Sequence, residues 1–170
     1  KLASENYLRV YGSRGLNYTA LRLFNVYGPG QNLENLRQGM VSIFMSFVAN
    51  NKEVLVKGSK DRFRDFIYID DVVDALLTVF KDPKSKEKVY NIGTGKKTTV
   101  EELINYIIQA FDYDLESYPI TYTTGTPGDQ FGIYSDSTKV KKELGWGPNI
   151  ELKEGIQKMA NWAKKITGNG

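Results

Sequence analysis

Cysteine and histidine are both absent from the 170 residues. The first absence excludes disulfides and thiolate metal sites. The second excludes a Ser-His-Asp triad and leaves any proton transfer to Tyr, Lys or carboxylates. No run approaches the roughly 20 apolar residues of a membrane span, and no signal peptide opens the chain, so a cytoplasmic location without a membrane partner is expected. Asn17-Tyr18-Thr19 is formally a glycosylation sequon, read as chance without a secretory signal. A dominant charge sign is lacking too. The 23 basic and 20 acidic residues leave +3 and are interleaved, so no nucleic-acid surface is implied. What remains is the composition of an ordinary globular protein, long enough for one real core in one domain or large lobe.

The stretch Tyr18–Gly30 organises the chain. Ala20, Leu21, Leu23, Phe24 and Val26 form a nearly continuous apolar run, which predicts one parallel strand buried on both faces, stopped by Gly28-Pro29-Gly30. Asn25, near its end, is either an amide delivered to the ligand crevice of an open α/β sheet or one that satisfies its own turn backbone. Lys1–Tyr11 has helical spacing with no capping residue ahead of it, so the sequence is expected to begin inside a helix of a longer protein. Helical stripes predict further helices over Met40–Asn50, Val100–Phe111 (opened by a Thr99/Glu102 capping box), Ser137–Leu144 (capped by Asp136, closed by Gly145) and Leu152–Ile166. A helix over Asp71–Phe80 is expected to be capped by Asp70. Strands are predicted at Val54–Val56, Asp65–Ile69, Val89–Ile92 and Ile120–Thr124, a polar turn at Gly58–Arg64, and an irregular loop at Gly125–Gly132. Gly93-Thr94-Gly95 imitates a dinucleotide fingerprint whose third position is Thr98, and it is better read as a tight strand-to-helix turn. Trp146 is expected to plug the core. The alternation implies an α/β architecture with largely parallel strands.

Six segments in order, KLASE, LRLFNVYGPGQ, RDFIYIDDVVDALL, YNIGTGKKTTVEEL, the GTPGD loop and DSTKVKKELGW, resemble the extended short-chain dehydrogenase/reductases, specifically their NAD-dependent nucleotide-sugar epimerases and dehydratases of the UDP-glucose 4-epimerase type. The resemblance implies the C-terminal part of a Rossmann-like fold with its smaller substrate-binding α/β lobe. Residues 1–170 would carry the last Rossmann strands and the nucleotide-sugar lobe, with most of the NAD-binding part lying outside them.

Lys1 matches the lysine of the family's catalytic Tyr-x-x-x-Lys pair. That lysine holds the nicotinamide ribose and lowers the tyrosine's pKa, a task of about 3 units or roughly 4 kcal/mol. No tyrosine in this chain is followed four residues later by lysine. The resemblance further implies that Phe24 touches NAD and that Asn25 and Arg64 grip the diphosphate of a UDP-sugar. Gln38 and Gly39 would lie over the nucleotide, Leu55, Val56 and Lys57 would form a backbone strip beside base and ribose, and Asp129 would contact the ribose. By residue type alone, Lys1 is a solvated helix lysine and Arg64 an ion-pair partner of Asp65 or Asp61. Where many relatives have an arginine, this chain has Thr126, and Lys57 is expected to approach the diphosphate instead. The activity implied is oxidation to a 4-keto sugar and re-reduction, in a homodimer paired through the first helix. The alternatives are a 4,6-dehydratase or decarboxylase outcome, or a binding module without catalysis.

Overall fold

The structure, a computed structural model, describes residues 1–37, 39–125 and 128–168. Its strands are held in parallel pairs built from residues distant in sequence. β1 (Thr19–Leu23) pairs with β6 (Lys88–Ile92), β2 (Asn25–Tyr27) with β5 (Phe66–Tyr68), and β3 (Val54–Lys57) with β8 (Ile120–Thr123). A fourth group centres on β4 (Phe63–Arg64), which runs antiparallel to β7 (Thr98–Thr99) and parallel to β9 (Gly132–Ile133). The helices are α1 (Leu2–Gly12), α2 (Met40–Ala49), α3 (Ile69–Lys81), α4 (Val100–Ala110), α5 (Thr138–Leu144) and α6 (Leu152–Thr167).

β5 divides the molecule. Its side chains alternate between two apolar cores, as the two-residue period of a strand requires. Phe66 and Tyr68 enter a large core with α2, α4, α6 and β3, whereas Ile67 enters a smaller one with Val72, Ala75, Tyr90, Ile92, Val140 and Trp146. The large core is tightened by Gly155 on α6, where a Cβ would meet the Tyr27 hydroxyl at 2.2 Å and the Tyr68 ring at 2.9 Å. The expected Trp146 plug is in place, with only 3% of its surface exposed.

Local signals explain the helix ends. Thr99 and Glu102 form the expected reciprocal capping box, each bonding the other's backbone N–H. Gly145 closes α5 in the left-handed conformation. The α3 expectation needs correction: the helix starts at Ile69 with Tyr68 at the cap position, and Asp70 lies in the first turn. Its neighbour Asp71 is buried and accepts hydrogen bonds from the backbone N–H groups of Asn149 (2.9 Å) and Ile150 (3.1 Å), tying α3 to the entry of α6.

The single strand expected from Tyr18 to Val26 is two strands. Phe24 is the break: its N–H still bonds Ile92, but the next residue, Asn25, bonds Asp65, so the chain changes partner there. β1 is also not buried on both faces. Its paired neighbour among the described residues is β6 alone, and Leu23 is 46% exposed.

Two phenols give the fold a testable alkaline limit. Burial pushes the Tyr27 hydroxyl well above its ordinary value, and burial together with a hydrogen bond to Glu143 (2.7 Å) does the same for Tyr90. Each group binds its proton more tightly when folded, so its contribution is complete below the unfolded value near pH ~10 and declines as pH rises beyond it. We expect urea-unfolding free energy to fall above that pH by up to about 1.4 kcal/mol per pH unit per phenol, and Tyr27→Phe with Tyr90→Phe to flatten the decline. A wild-type slope unchanged in the double variant would refute the assignment.

Candidate functional site

Next to two of the expected residues, Asn25 and Arg64, distant stretches of chain converge on one buried carboxylate. Asp65 is fully buried between β4 and β5. It accepts five hydrogen bonds: from the Thr94 N–H (2.9 Å) and hydroxyl (2.5 Å), the Gly95 N–H (2.9 Å), and the Ser135 N–H (3.0 Å) and hydroxyl (2.6 Å). Gly93 is glycine because any Cβ there would lie 2.5 Å from the Ser135 Oγ and 2.7 Å from Asp65 Oδ2. The Gly93-Thr94-Gly95 turn therefore spends its Thr94 and Gly95 N–H groups on this carboxylate, which explains the fingerprint-like spacing without a nucleotide phosphate.

The backbone of Asp65 sets Asn25. The Asp65 carbonyl accepts from both the Asn25 N–H (3.1 Å) and its side-chain amide (2.9 Å). Asn25 thus serves the segment between β4 and β5 rather than its own turn, bonded to the residue that follows Arg64. A cleft of about 440 Å³ opens there, lined by Arg22, Leu23, Phe24, Asn25, Asn91 and Ile133. Ile133 is the β9 partner of Arg64.

Arg64 pairs with neither Asp65 nor Asp61. Its guanidinium donates to the carbonyls of Phe63 (2.8 Å), Gln130 (2.8 Å) and Phe131 (3.3 Å) and lies 3.4 Å from the Asp129 carboxylate. Burial, and then the charge of Arg62, lowers its pKa. Arg62 is the residue that sequence reading passed over. It ion-pairs with the other Asp129 oxygen and donates to the carbonyls of Lys57 and Ser59. The signal was available: residues 62 and 64 are two apart, the spacing that puts side chains on one face of extended chain.

The remaining candidates are distributed around these. Lys1 is exposed at the cap position of α1. Glu5, one turn on, ion-pairs with Arg22 at 2.7 Å, which holds this end of α1 beside the end of β1 and hence near Phe24; that hydrogen bond keeps the Glu5 carboxyl below its usual range. On β3, Val56 points into the core while Leu55 and Lys57 point outward, so only the backbone of Val56 is presentable to a ligand. Gly39, with φ 86°, begins α2. Gln38 and Thr126 lie outside the described residues. The described residues contain no cluster of carboxylates suited to a metal, and no described helix is long and apolar enough to cross a membrane.

Comparison with known proteins gives this arrangement a family. The model of the NAD dependent epimerase/dehydratase family matches residues 1–93. The chain belongs to that family. It is 36% identical over 165 residues to a putative UDP-glucose 4-epimerase of Methanocaldococcus jannaschii, covering 96% of this chain and 52% of that protein. It is 34% identical over 149 residues to the human dTDP-D-glucose 4,6-dehydratase, covering 85% and 41%. The solved UDP-glucose 4-epimerase of Thermotoga maritima with UDP-glucose superposes at a TM-score of 0.89 and 36% identity, covering 98% of this chain and 52% of that one. The fold is thus the Rossmann-like α/β architecture of epimerase/dehydratase chains, and the chain spans about half the length of the curated relatives it matches.

If Asp65 holds the site together, Asp65→Ala should cost about 3 kcal/mol by urea denaturation, because buried donors lose their acceptor. Gly93→Ala should be destabilising too, because its Cβ would force Ser135 and Asp65 out of their hydrogen-bonding positions. A cost below about 0.5 kcal/mol for either would sink this account.

Proposed function

We propose that this chain forms the nucleotide-sugar-binding half of an NAD-dependent nucleotide-sugar epimerase acting on a UDP-hexose at C4. The observation that carries the reading is that Asp65 places both residues: its carbonyl holds the Asn25 amide just past the end of parallel strand β1, where open α/β sheets take their ligands, and Arg64 immediately precedes Asp65 in the chain. It is supported by the likeness to a Thermotoga maritima epimerase solved with UDP-glucose.

The residues present fit one end of NAD only. The cleft beside Leu23 and Phe24 is apolar enough for a nicotinamide face, and Lys1 lies on the helix end tethered to it. The glycine turn that follows β6 commits the Thr94 and Gly95 N–H groups to Asp65 rather than to a pyrophosphate. When bound, NAD supplies reversible hydride acceptance. The chain's own part is to hold substrate. Arg64 clamps diphosphate oxygens and Asn25 donates its amide to them. Lys1 orients ribose hydroxyls and favours the ionised form of a neighbouring phenol. A grip confined to the diphosphate leaves the hexose free to turn over between oxidation and re-reduction, the physical requirement of epimerisation. A 4,6-dehydratase shares the first oxidation, and the identity to the human dehydratase favours it as the second reading.

Calorimetric titration of the full chain with UDP-glucose, dTDP-glucose and NAD tests this. UDP-glucose should bind, NAD should bind more weakly, and Arg64→Gln should weaken UDP-glucose by about 1.5–3 kcal/mol, tenfold or more. Tight NAD binding with no UDP-glucose heat would overturn the division of roles, and preference for dTDP-glucose would favour the dehydratase reading.

A further inference from the structure

The two arginines that flank Asp129 are unequal in what the proposed function uses. Arg64 has a role; Arg62 does not. Yet Arg62 is built in with care. Only 11% of its side chain is exposed, against 13% for Arg64, and both guanidinium groups reach the same carboxylate. Gly58 lies beneath it at φ +90°, and a Cβ there would meet the guanidinium carbon at 3.0 Å, so the glycine is what lets the fork lie across the backbone. Its other donors are fixed by the carbonyls of Lys57 and Ser59. Two permanent cations facing one carboxylate leave one positive charge unmatched in a half-buried place. A group with two adjacent anionic centres would complete the balance better than Asp129 does, and Asp129, 33% exposed on a loop, is the partner able to leave.

We propose that Arg62 is a second cation of the diphosphate site and Asp129 its exchangeable counter-ion. An incoming diphosphate takes over the forks of Arg62 and Arg64, one phosphate each, and the released Asp129 carboxylate turns to hydroxyl donors on the ribose. Arg62 then occupies the place expected of Lys57, whose carbonyl rather than ammonium is engaged by the surrounding structure. The proposal rests on the nucleotide-sugar reading above and assigns it a preference for diphosphates over monophosphates.

The test compares UDP, UMP and inorganic pyrophosphate as calorimetric probes on the full chain, its Arg62→Gln, Arg62→Lys, Asp129→Asn and Arg64→Gln variants, with thermal melts confirming that each is folded. Arg62→Gln should weaken UDP about tenfold while changing UMP much less. Arg62→Lys should recover part of the loss, and Asp129→Asn should strengthen pyrophosphate several-fold by removing the competitor. A merely structural Arg62 would alter the melt and leave the UDP-to-UMP ratio unchanged. Unchanged UDP affinity in Arg62→Gln, or unchanged or weaker pyrophosphate binding in Asp129→Asn, would overturn the proposal while loss of UDP binding in Arg64→Gln left the wider reading standing. If Arg64→Gln also bound UDP as well as wild type, the nucleotide-sugar site itself would be refuted.

Discussion

A carboxylate fully buried at Asp65, with no cationic partner within hydrogen-bond reach among the described residues, is the constraint from which the site is built. Burying a carboxylate costs several kcal/mol unless its lone pairs are filled, and five donors fill them here. Those donors come from the turn after β6 and the segment after β9, so three distant stretches of chain have to converge before the charge is satisfied. Convergence in turn fixes the carbonyl that holds Asn25 and the strand that carries Arg64. The buried charge works as a register pin: any slip in β5 would withdraw it from its donors.

The pin sits next to the strand that both cores share. Immediately after Asp65, Phe66, Ile67 and Tyr68 are all buried, and their alternation sends side chains into both cores at once. Neither core can shift relative to the other without disturbing β5. A ligand site on the strand end and loops around such a partition is held by packing on both sides, while the loop carrying Asp129 is not. The Gln130 and Phe131 carbonyls that orient Arg64 lie on that same loop, so under the proposal it is the Asp129 side chain that exchanges, while the backbone beside it keeps the cation aimed.

Much of this was legible in the sequence, and the failures have a common cause. The capping box at Thr99, the α4 and α6 faces, the Gly145 stop and the Trp146 plug depend on residues within a few positions of one another, and each was readable. The break at Phe24 was not, because nothing local separates Leu23 from Asn25; the division comes from pairing with residues 92 and 65. The two-residue strands β4, β7 and β9 are likewise defined by one another; the sequence reading placed the first in a polar turn, the second at a helix cap and the start of the third in an irregular loop. Asp65 read as a strand's polar position because its donors lie 29 to 70 residues away. Asn25 was singled out by its place at the end of an apolar run and, like Arg64, given a role by family resemblance, whereas Arg62 lay outside the motif and needed the fold to give it a partner.

The energetics of a phosphate grip explain why so much structure serves so few groups. Each charge-assisted hydrogen bond contributes about 1.5–3 kcal/mol only if the donor is already aimed; a flexible arginine loses part of that in ordering. Arg64 is aimed by three carbonyls, and Arg62 by two carbonyls and a glycine that makes room for it. Those contacts hold the forks without neutralising them, since a carbonyl carries no net charge. Asp129 is the one neutralising partner the two share among the described residues, and it is also the most exposed of the three. Under the proposal, a site arranged in this way keeps its cations half-buried in the absence of ligand and gives up its one shared counter-ion when a doubly anionic group arrives. Under the proposed reading, the affinity then resides in the diphosphate and not in the hexose, and a sugar that must present two faces in one turnover is held by the part of the substrate that does not react.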